Sequence, residues 1–440
     1  MITHIGFDDT DSPKGGCTTY IAAIIAQNLT KIGADFVDYP NLIRLNPNTP
    51  WKTRGNASVC LRFNLDKESI PEAKKTVINL IDRYSEFWCE NTNPGVVFCS
   101  GKVPTEVKDF SKKAVQQIVQ IEEAENLIQK NQLHAIGWKN RRGIIGGLSA
   151  IGGTLESDHT YELITYRKPS YWGTQRKLDE ESIRKMDKAL KESTFNNVTE
   201  KGTPMIAPHG PDPVLYGVRG ESPESVYKAY LMIEELEPVE RWMIYRTNQG
   251  TDAHFRELIN IKDMKAYNPA IIQGIVSDGI KTIKGGHVIF EVKDDSGIVG
   301  CAVYEPTGNL RHIVWDFIKG DEVRVFGGVR PLKKGLTLNV EKIEVISLAE
   351  NINFVNPTCP KCGGSTESMG KEQGYRCKKC GYKNNKLAKK PLIHPREIKR
   401  GIYLPDRDAQ RHLTKPLKRY GKENYYHHKD MFEPWICYNS

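Results

Sequence analysis

Residues 3–33 read THIGFDDTDSPKGGCTTYIAAIIAQNLTKIG. The apolar run THIGF predicts a short strand, and DDTDSPKGG predicts a turn rich in carboxylate and glycine. The stretch from Cys17 to Ile32, rich in Ala, Ile and Leu, predicts a helix that ends near Gly33. Strand, polar loop and helix in this order open an α/β unit with a loop suited to phosphate chemistry. Asp8, Asp9 and Asp11 surround Thr10, and carboxylates this dense repel unless a cation compensates them. Oxygen-seeking Mg²⁺, held by carboxylates and substrate phosphates, suits such a loop. Lys14, Gly15 and Gly16 add positive charge and pliant backbone, and Cys17 and Thr18 sit where free helix N–H groups favour phosphate. The pattern GxxxxGK[ST] is absent, so this is not a P-loop. The Thr18 hydroxyl either accepts a phosphoryl group or only caps the helix, and the bland alternative for the whole loop is a solvated acidic turn.

Further strands are expected at 39–45, 57–63, 95–100 and 160–168, with a helix over 71–86 and one long amphipathic helix over 111–130. A glycine-rich segment covers 134–153, and within it Arg141 and Arg142 read as a phosphate clamp or an exposed turn. Helices are expected at 179–191 and 223–231. Between them, 203–220 reads as a long polar loop stiffened by Pro and Gly, carrying His209, Asp212, Tyr216 and Arg219 as a candidate substrate pocket. In 241–255 a strand leads into RTNQGTDAH, where Asn248, Asp252 and His254 offer donors and acceptors to a polar substrate or an RNA backbone. Short strands separated by Gly and Asp turns over 270–349 predict a small antiparallel barrel. An OB-fold is favoured over an SH3-like one.

Four of the ten cysteines form Cys359-x-x-Cys362 and Cys377-x-x-Cys380. Two such knuckles with a short polar spacer predict a closed tetrahedral Zn²⁺ site of structural type. Lone thiols elsewhere predict a reducing, cytoplasmic setting. The 440 residues predict about three or four domains. No apolar run approaches the roughly 18 residues of a membrane span, and the N-terminus has no basic or apolar leader region.

The net charge of +9 is uneven. Residues 351–440 hold 19 basic and 8 acidic side chains, a net of +11, while the preceding 350 carry 44 and 46, a net of −2. The end of the chain therefore predicts a polyanionic partner. Lys378 and Lys379 in the ribbon, and Arg396, Arg400, Arg411, Lys418 and Arg419 beyond it, are the candidate RNA contacts. Tyr420, Tyr425, Tyr426 and Trp435 could stack bases, although Trp435 and Tyr438 could equally dock the tail on the body.

The series DDTDSPKGGCTTY, HGPDPVLYGVRG, RTNQGTDAH, an OB-like region and a four-cysteine ribbon, in this order across essentially the whole chain, resembles the archaeal tRNA(Ile) agmatinylcytidine synthetases. The resemblance implies a multidomain α+β protein. A kinase-like catalytic domain would occupy 1–168, possibly interleaved with a ferredoxin-like domain over 169–269. An OB-fold (270–350), a zinc ribbon (351–390) and a basic tRNA-binding tail (391–440) would follow. It implies ATP-driven ligation of agmatine to C2 of the wobble cytidine of the CAU-anticodon isoleucine tRNA through phosphorylation of the C2 oxygen, so that the tRNA reads AUA. It further implies that Asp8, Asp9 and Asp11 handle metal and ATP, that Thr18 is autophosphorylated, and that Asp212 faces a cationic end of agmatine. No protein partner and a monomer are expected. Two rivals stand beside it: a nucleic-acid-binding module without chemistry, and another Mg-ATP-dependent kinase that leaves phosphate on its product.

Overall fold

The computed structural model describes residues 1–277, 280–425 and 430–438. Strand β1 (Ile2–Asp8) leads through the acidic loop into helix α1 (Thr18–Lys31), as the opening stretch predicts. Strands β2 (Asp35–Phe36), β3 (Asn41–Arg44), β4 (Ala57–Asn64), β5 (Gly95–Ser100) and β6 (His134–Gly137) follow, with helix α2 (Ile70–Tyr84) between β4 and β5.

Three segments depart from expectation. The single helix expected over 111–130 is two, α3 (Thr105–Gln116) and α4 (Ile121–Lys130), because Gln117 is fully extended. Gln120 and Glu123 then form a reciprocal capping box that restarts the helix. The glycine-rich stretch contains helix α5 (Gly143–Gly152), although Gly costs about 1 kcal/mol relative to Ala in a helix. Packing explains it. A Cβ on Gly146 would stand 1.9 Å from Asp8 Oδ2, and one on Gly147 2.7 Å from the Gly6 carbonyl oxygen. The helix lies directly on β1. Finally, the supposed loop 203–220 ends in a sheet strand.

Strands β7 (Thr160–Arg167), β8 (Thr194–Phe195), β9 (Val214–Gly220) and β10 (Val239–Thr247) form the second half of the body, with helices α6 (Glu180–Ala189) and α7 (Pro223–Met232). The two halves are one sheet, ordered β6-β5-β1-β4-β3-β10-β7-β9-β8. They meet where β3 and β10 pair in parallel, Asn41 opposite Arg246 and Leu42 opposite Thr247. One apolar cluster runs through both halves, from Ile5, Phe7 and Ile21 to Leu163, Val218 and Met243. Each such side chain contributes about 1.5–3 kcal/mol on burial.

The OB barrel comprises β11 (Pro269–Val276), β12 (Lys281–Ile283), β13 (His287–Asp294), β14 (Gly297–Val303), β15 (Glu322–Pro331) and β16 (Leu336–Ser347), with helix α8 (Asn309–Trp315). A two-stranded neck, β17 (Ile352–Val355) and β21 (Lys390–Ile393), carries the cysteine ribbon with β18 (Thr366–Ser368), β19 (Tyr375–Cys377) and β20 (Lys383–Asn384).

The last segment is not a free basic tail. Strand β22 (Gly401–Tyr403) pairs with β16, and β23 (Ile436–Tyr438) pairs with β10 of the main sheet. Arg419 is wholly buried, with Nε 2.8 Å from Glu221 and Nη2 2.9 Å from Asp158. Arg396 makes two bonds to buried Asp321 at 2.7 and 2.6 Å. Arg411 bonds Asn48 and pairs with Glu341, and Lys418 donates to carbonyls of Lys191 and Thr194. These cations are held by carboxylates and carbonyls of the body and barrel. Trp435 docks against Phe36, and Tyr425 stays exposed. Tyr426 lies outside the described residues.

Candidate functional site

The loops after β1 and before β9, the 45–57 loop, the start of α5 and the C-terminal segment surround one cavity of about 570 Å³. Its lining includes Asp8, Asp9, Asp11, Cys17, Thr18, Arg142, His209, Asp212 and Arg219 from the sequence-derived candidates.

The acidic loop is held in an unusual shape. Asp9 has φ of 60°, a left-handed conformation that Asp tolerates better than most residues. Its backbone N–H donates to Asp8 Oδ1 at 2.7 Å. Arg142, at the foot of α5, reaches the Asp9 carboxylate at 2.7 Å and also donates to Asn91. Burial pushes the Asp8 carboxyl well above the ordinary range, and the neighbouring Asp9 charge adds to the push. Burial raises Asp9 to about 6, with Arg142 pulling the other way. These two acids are short of positive charge. Asp11 is not: Arg54 Nε meets it at 2.7 Å, and Thr53 donates to it at 2.9 Å. The three carboxylates therefore do not converge as a triad. Among the described residues, the four ribbon cysteines are the group whose donor atoms do.

Thr18 is the first residue of α1, mostly buried, with its hydroxyl 3.0 Å from that of Thr10. Cys17 precedes it as an N-cap without a side-chain cap bond. The helix start is therefore open toward the cavity, with free N–H groups suited to an anion.

Arg54 links two sites that sequence reading kept apart. Besides Asp11, it donates to the Gly16 carbonyl and meets Asp212 Oδ2 at 3.1 Å. Arg176 approaches the other Asp212 oxygen at 3.5 Å. Burial raises the Asp212 carboxyl, against the pull of both guanidiniums. Arg44, Lys52, Glu162 and His412 complete the wall. None of these, nor Arg54, was singled out from the sequence. Glu162 was the readable one, as a lone acid inside the strand TYELITYRK. His412 carried no signal within a basic stretch.

Other candidates lie elsewhere. Lys14 stands 5.8 Å over the Trp88 ring, outside the cavity lining, and Gly15 pairs back to Ser12. Arg141 pairs with Glu125 at 2.9 Å. Tyr216 is buried with its hydroxyl on Glu235. Asn248 bonds the Arg44 backbone at both N–H and C=O, joining β3 to the turn after β10. Asp252 pairs with Lys342, and His254 with buried Glu341 at 3.1 Å. The last two hold the barrel to the body. Lys378, Lys379 and Arg400 are exposed, as a phosphate contact requires.

In the ribbon, the Cys359 and Cys380 sulfurs are 3.7 Å apart and those of Cys362 and Cys377 3.4 Å, all four within 4.8 Å of one another. Zn–S bonds of about 2.3 Å in a tetrahedron place sulfurs about 3.8 Å apart, so the donor set and spacing fit a zinc ion. No helix among the described residues is long and apolar enough to cross a membrane.

Family models match four stretches: the TiaS TCKD domain over 4–140, the TiaS FLD domain over 141–254, an OB-fold nucleic acid binding domain over 271–346, and the TiaS C-terminal zinc ribbon domain over 356–400. A tRNA(Ile2) 2-agmatinylcytidine synthetase TiaS of Thermococcus sibiricus is 44% identical, covering 94% of this chain and 95% of its own. That of Methanocaldococcus jannaschii is 42% identical over 95% and 99%. A solved TiaS–tRNA(Ile2)–ATP complex is 40% identical, with a TM-score of 0.87 over 95% of this chain and 97% of its own. A TiaS–tRNA(Ile2)–AMPCPP–agmatine complex is 38% identical, with a TM-score of 0.83 over 95% and 97%.

Proposed function

The chain belongs to the tRNA(Ile2) 2-agmatinylcytidine synthetase family, and from that membership and the cavity we infer that it ligates agmatine to C2 of the wobble cytidine in the CAU-anticodon isoleucine tRNA, at the expense of ATP. The observation that carries this reading is the single cavity that brings Asp8, Asp9, Thr18 and Asp212 together. The cytosine C2 oxygen is a poor leaving group. Transfer of a phosphoryl group onto it lets the C–O bond break with phosphate as the C–N bond to the agmatine amine forms. The base must leave its stack to reach the buried acids.

Asp8 and Asp9 would hold Mg²⁺ together with the ATP phosphates, since burial raises both carboxyls, that of Asp9 in spite of Arg142, and Asp11 is engaged by Arg54. The ion would neutralise charge on the phosphoryl group in transfer. The open start of α1 cradles phosphate, and the Thr18 hydroxyl beside it accepts a phosphoryl group. Asp212 takes one cationic end of agmatine by exchanging it for Arg54. The kinase-like and ferredoxin-like halves meet across β3 and β10, and their loops share the cavity. The four cysteines hold structural Zn²⁺, and the exposed ribbon lysines contact tRNA phosphates. The uncrosslinked thiols suit a cytoplasmic setting.

Incubation with ATP, agmatine and the CAU-anticodon tRNA, followed by mass spectrometry of the wobble nucleoside, tests the reading. An agmatine-sized adduct is expected, lost in Asp9→Asn with tRNA affinity retained. A phosphate adduct alone would make the protein an RNA kinase instead.

A further inference from the structure

Glu162 and His412 line the same cavity from segments 250 residues apart, Glu162 on β7 and His412 on the C-terminal segment. The Glu162 side chain is only 5% exposed and is held by Arg219 Nε at 3.1 Å and Gln249 Nε2 at 2.5 Å. His412 is anchored through its carbonyl, which accepts from the Gly250 N–H at 2.8 Å. Arg219 Nη2 donates to His412 Nδ1 at 2.9 Å. A guanidinium can only donate, so Nδ1 is the acceptor and the proton of the neutral ring sits on Nε2. The positive charge of Arg44, with Arg219 and Lys52 adding to it, pushes the ring pKa well down and keeps it neutral.

The pair thus offers one obligate acceptor, the carboxylate, and one obligate donor, Nε2–H. Leu42, Ala57, Ile164 and Val214 supply apolar lining to the cavity. A phosphate here would meet the Glu162 charge. A cation would meet Arg44 and Arg219. A flat, neutral ring with a donor beside an acceptor meets neither objection. Resting on the functional reading above, we propose that Glu162 and His412 read the Watson–Crick edge of the wobble cytosine, Glu162 accepting from the 4-amino group and His412 Nε2–H donating to N3. Uracil inverts both positions: its O4 would face the carboxylate and its N3–H would face Nε2–H. Sites that bond a substrate group directly reject the analogue lacking it by about 10⁴–10⁵-fold, because their polar groups are left unpaired.

The test measures kcat/KM for agmatine incorporation into matched transcripts bearing C34 or U34. Wild type is expected to prefer C34 by about 10³-fold or more. His412→Phe should lose about 100-fold on C34 with the ATP KM unchanged. His412→Gln, whose amide N–H can replace Nε2–H, should recover most of it. Glu162→Gln should narrow the C34/U34 ratio, because an amide both donates and accepts. A wild-type assay on tRNA carrying 2-pyrimidinone at position 34 tests the Glu162 contact without any substitution, and a loss of about tenfold or more is expected. If wild type used 2-pyrimidinone like cytosine, or if the variants kept the wild-type C34/U34 ratio, the pair would not be the reader. If wild type incorporated no agmatine at all, the functional reading would fall and the pair's assignment with it.

Discussion

Lys378 and Lys379 stand in solvent between the ribbon's cysteines, while Arg419, further along the same basic stretch, is wholly buried between Asp158 and Glu221. The ribbon and the C-terminal strap are adjacent in sequence and together supply the net +11. The ribbon hangs from a two-stranded neck with Phe354 and Ile393 exposed. The strap is woven into the barrel by β22 and into the main sheet by β23, and it delivers His412 to the cavity. Net charge counts both alike. What separates them is the supply of partners, because a buried cation survives only when carboxylates and carbonyls surround it.

The comparison is broken most directly by cutting. Truncation before Gly401 should abolish the cooperative thermal transition and the activity, since it removes two sheet strands and the Arg419 network. Excision of the ribbon with Val355 joined to Lys390, which already pair in register, should leave the transition within a few degrees and cost tRNA affinity. Equal damage from the two cuts would show that the ribbon is also part of the body.

A single side chain sharpens the same point. Arg419→Met removes the shared cation from the half-buried Asp158 and Glu221, leaving Asp158 to Lys415 and Glu221 to the Asn424 amide, and should destabilise the fold by about 1–3 kcal/mol in denaturant titration. A loss below 1 kcal/mol would mean that water reaches the network.

The cavity acids show the opposite imbalance, anions without enough cations. Below the unfolded carboxylate pKa near 4, Asp9 is protonated in both states and has no effect. Between that value and its folded value of about 6, only the folded state keeps the proton, so Asp9 makes stability fall as pH rises through this window. The rise of the Asp9 carboxyl to about 6 corresponds to at most about 3 kcal/mol. Millimolar Mg²⁺ should raise the melting temperature at pH 7.5 and do so less at pH 5, and Asp9→Asn should flatten the difference.

Removal of zinc with a chelator should unfold the ribbon and leave the main transition of the body unchanged, which calorimetry resolves. The smallest effect is expected from Lys378→Glu with Lys379→Glu. Stability should stay the same, and the log–log salt slope of tRNA binding should fall by about 1–2.

Elements with a local cause are legible in the sequence. Apolar patterning marked β1 and α1, the CxxC pair marked the ribbon, and the density of Asp8, Asp9 and Asp11 marked one wall of the cavity. Helix α5 was hidden, because its glycines argue against a helix until β1 is seen to press on them. The break at Gln117 was legible in Gln120-x-x-Glu123 but masked by the amphipathic periodicity on either side. Arg54 lay in a loop with nothing to distinguish it, and its role appears only where Asp11 and Asp212 flank its guanidinium.

By itself the sequence determined which chemistry is present: carboxylates beside a phosphate-binding helix start, four thiolates at metal spacing, and an excess of positive charge at one end. Only the tertiary structure decided which of those groups meet. Charge composition is a property of a segment, whereas pairing is a property of the space around each group. That space is built by strands far apart in the chain, with β3 against β10 and the strap's β23 beside them.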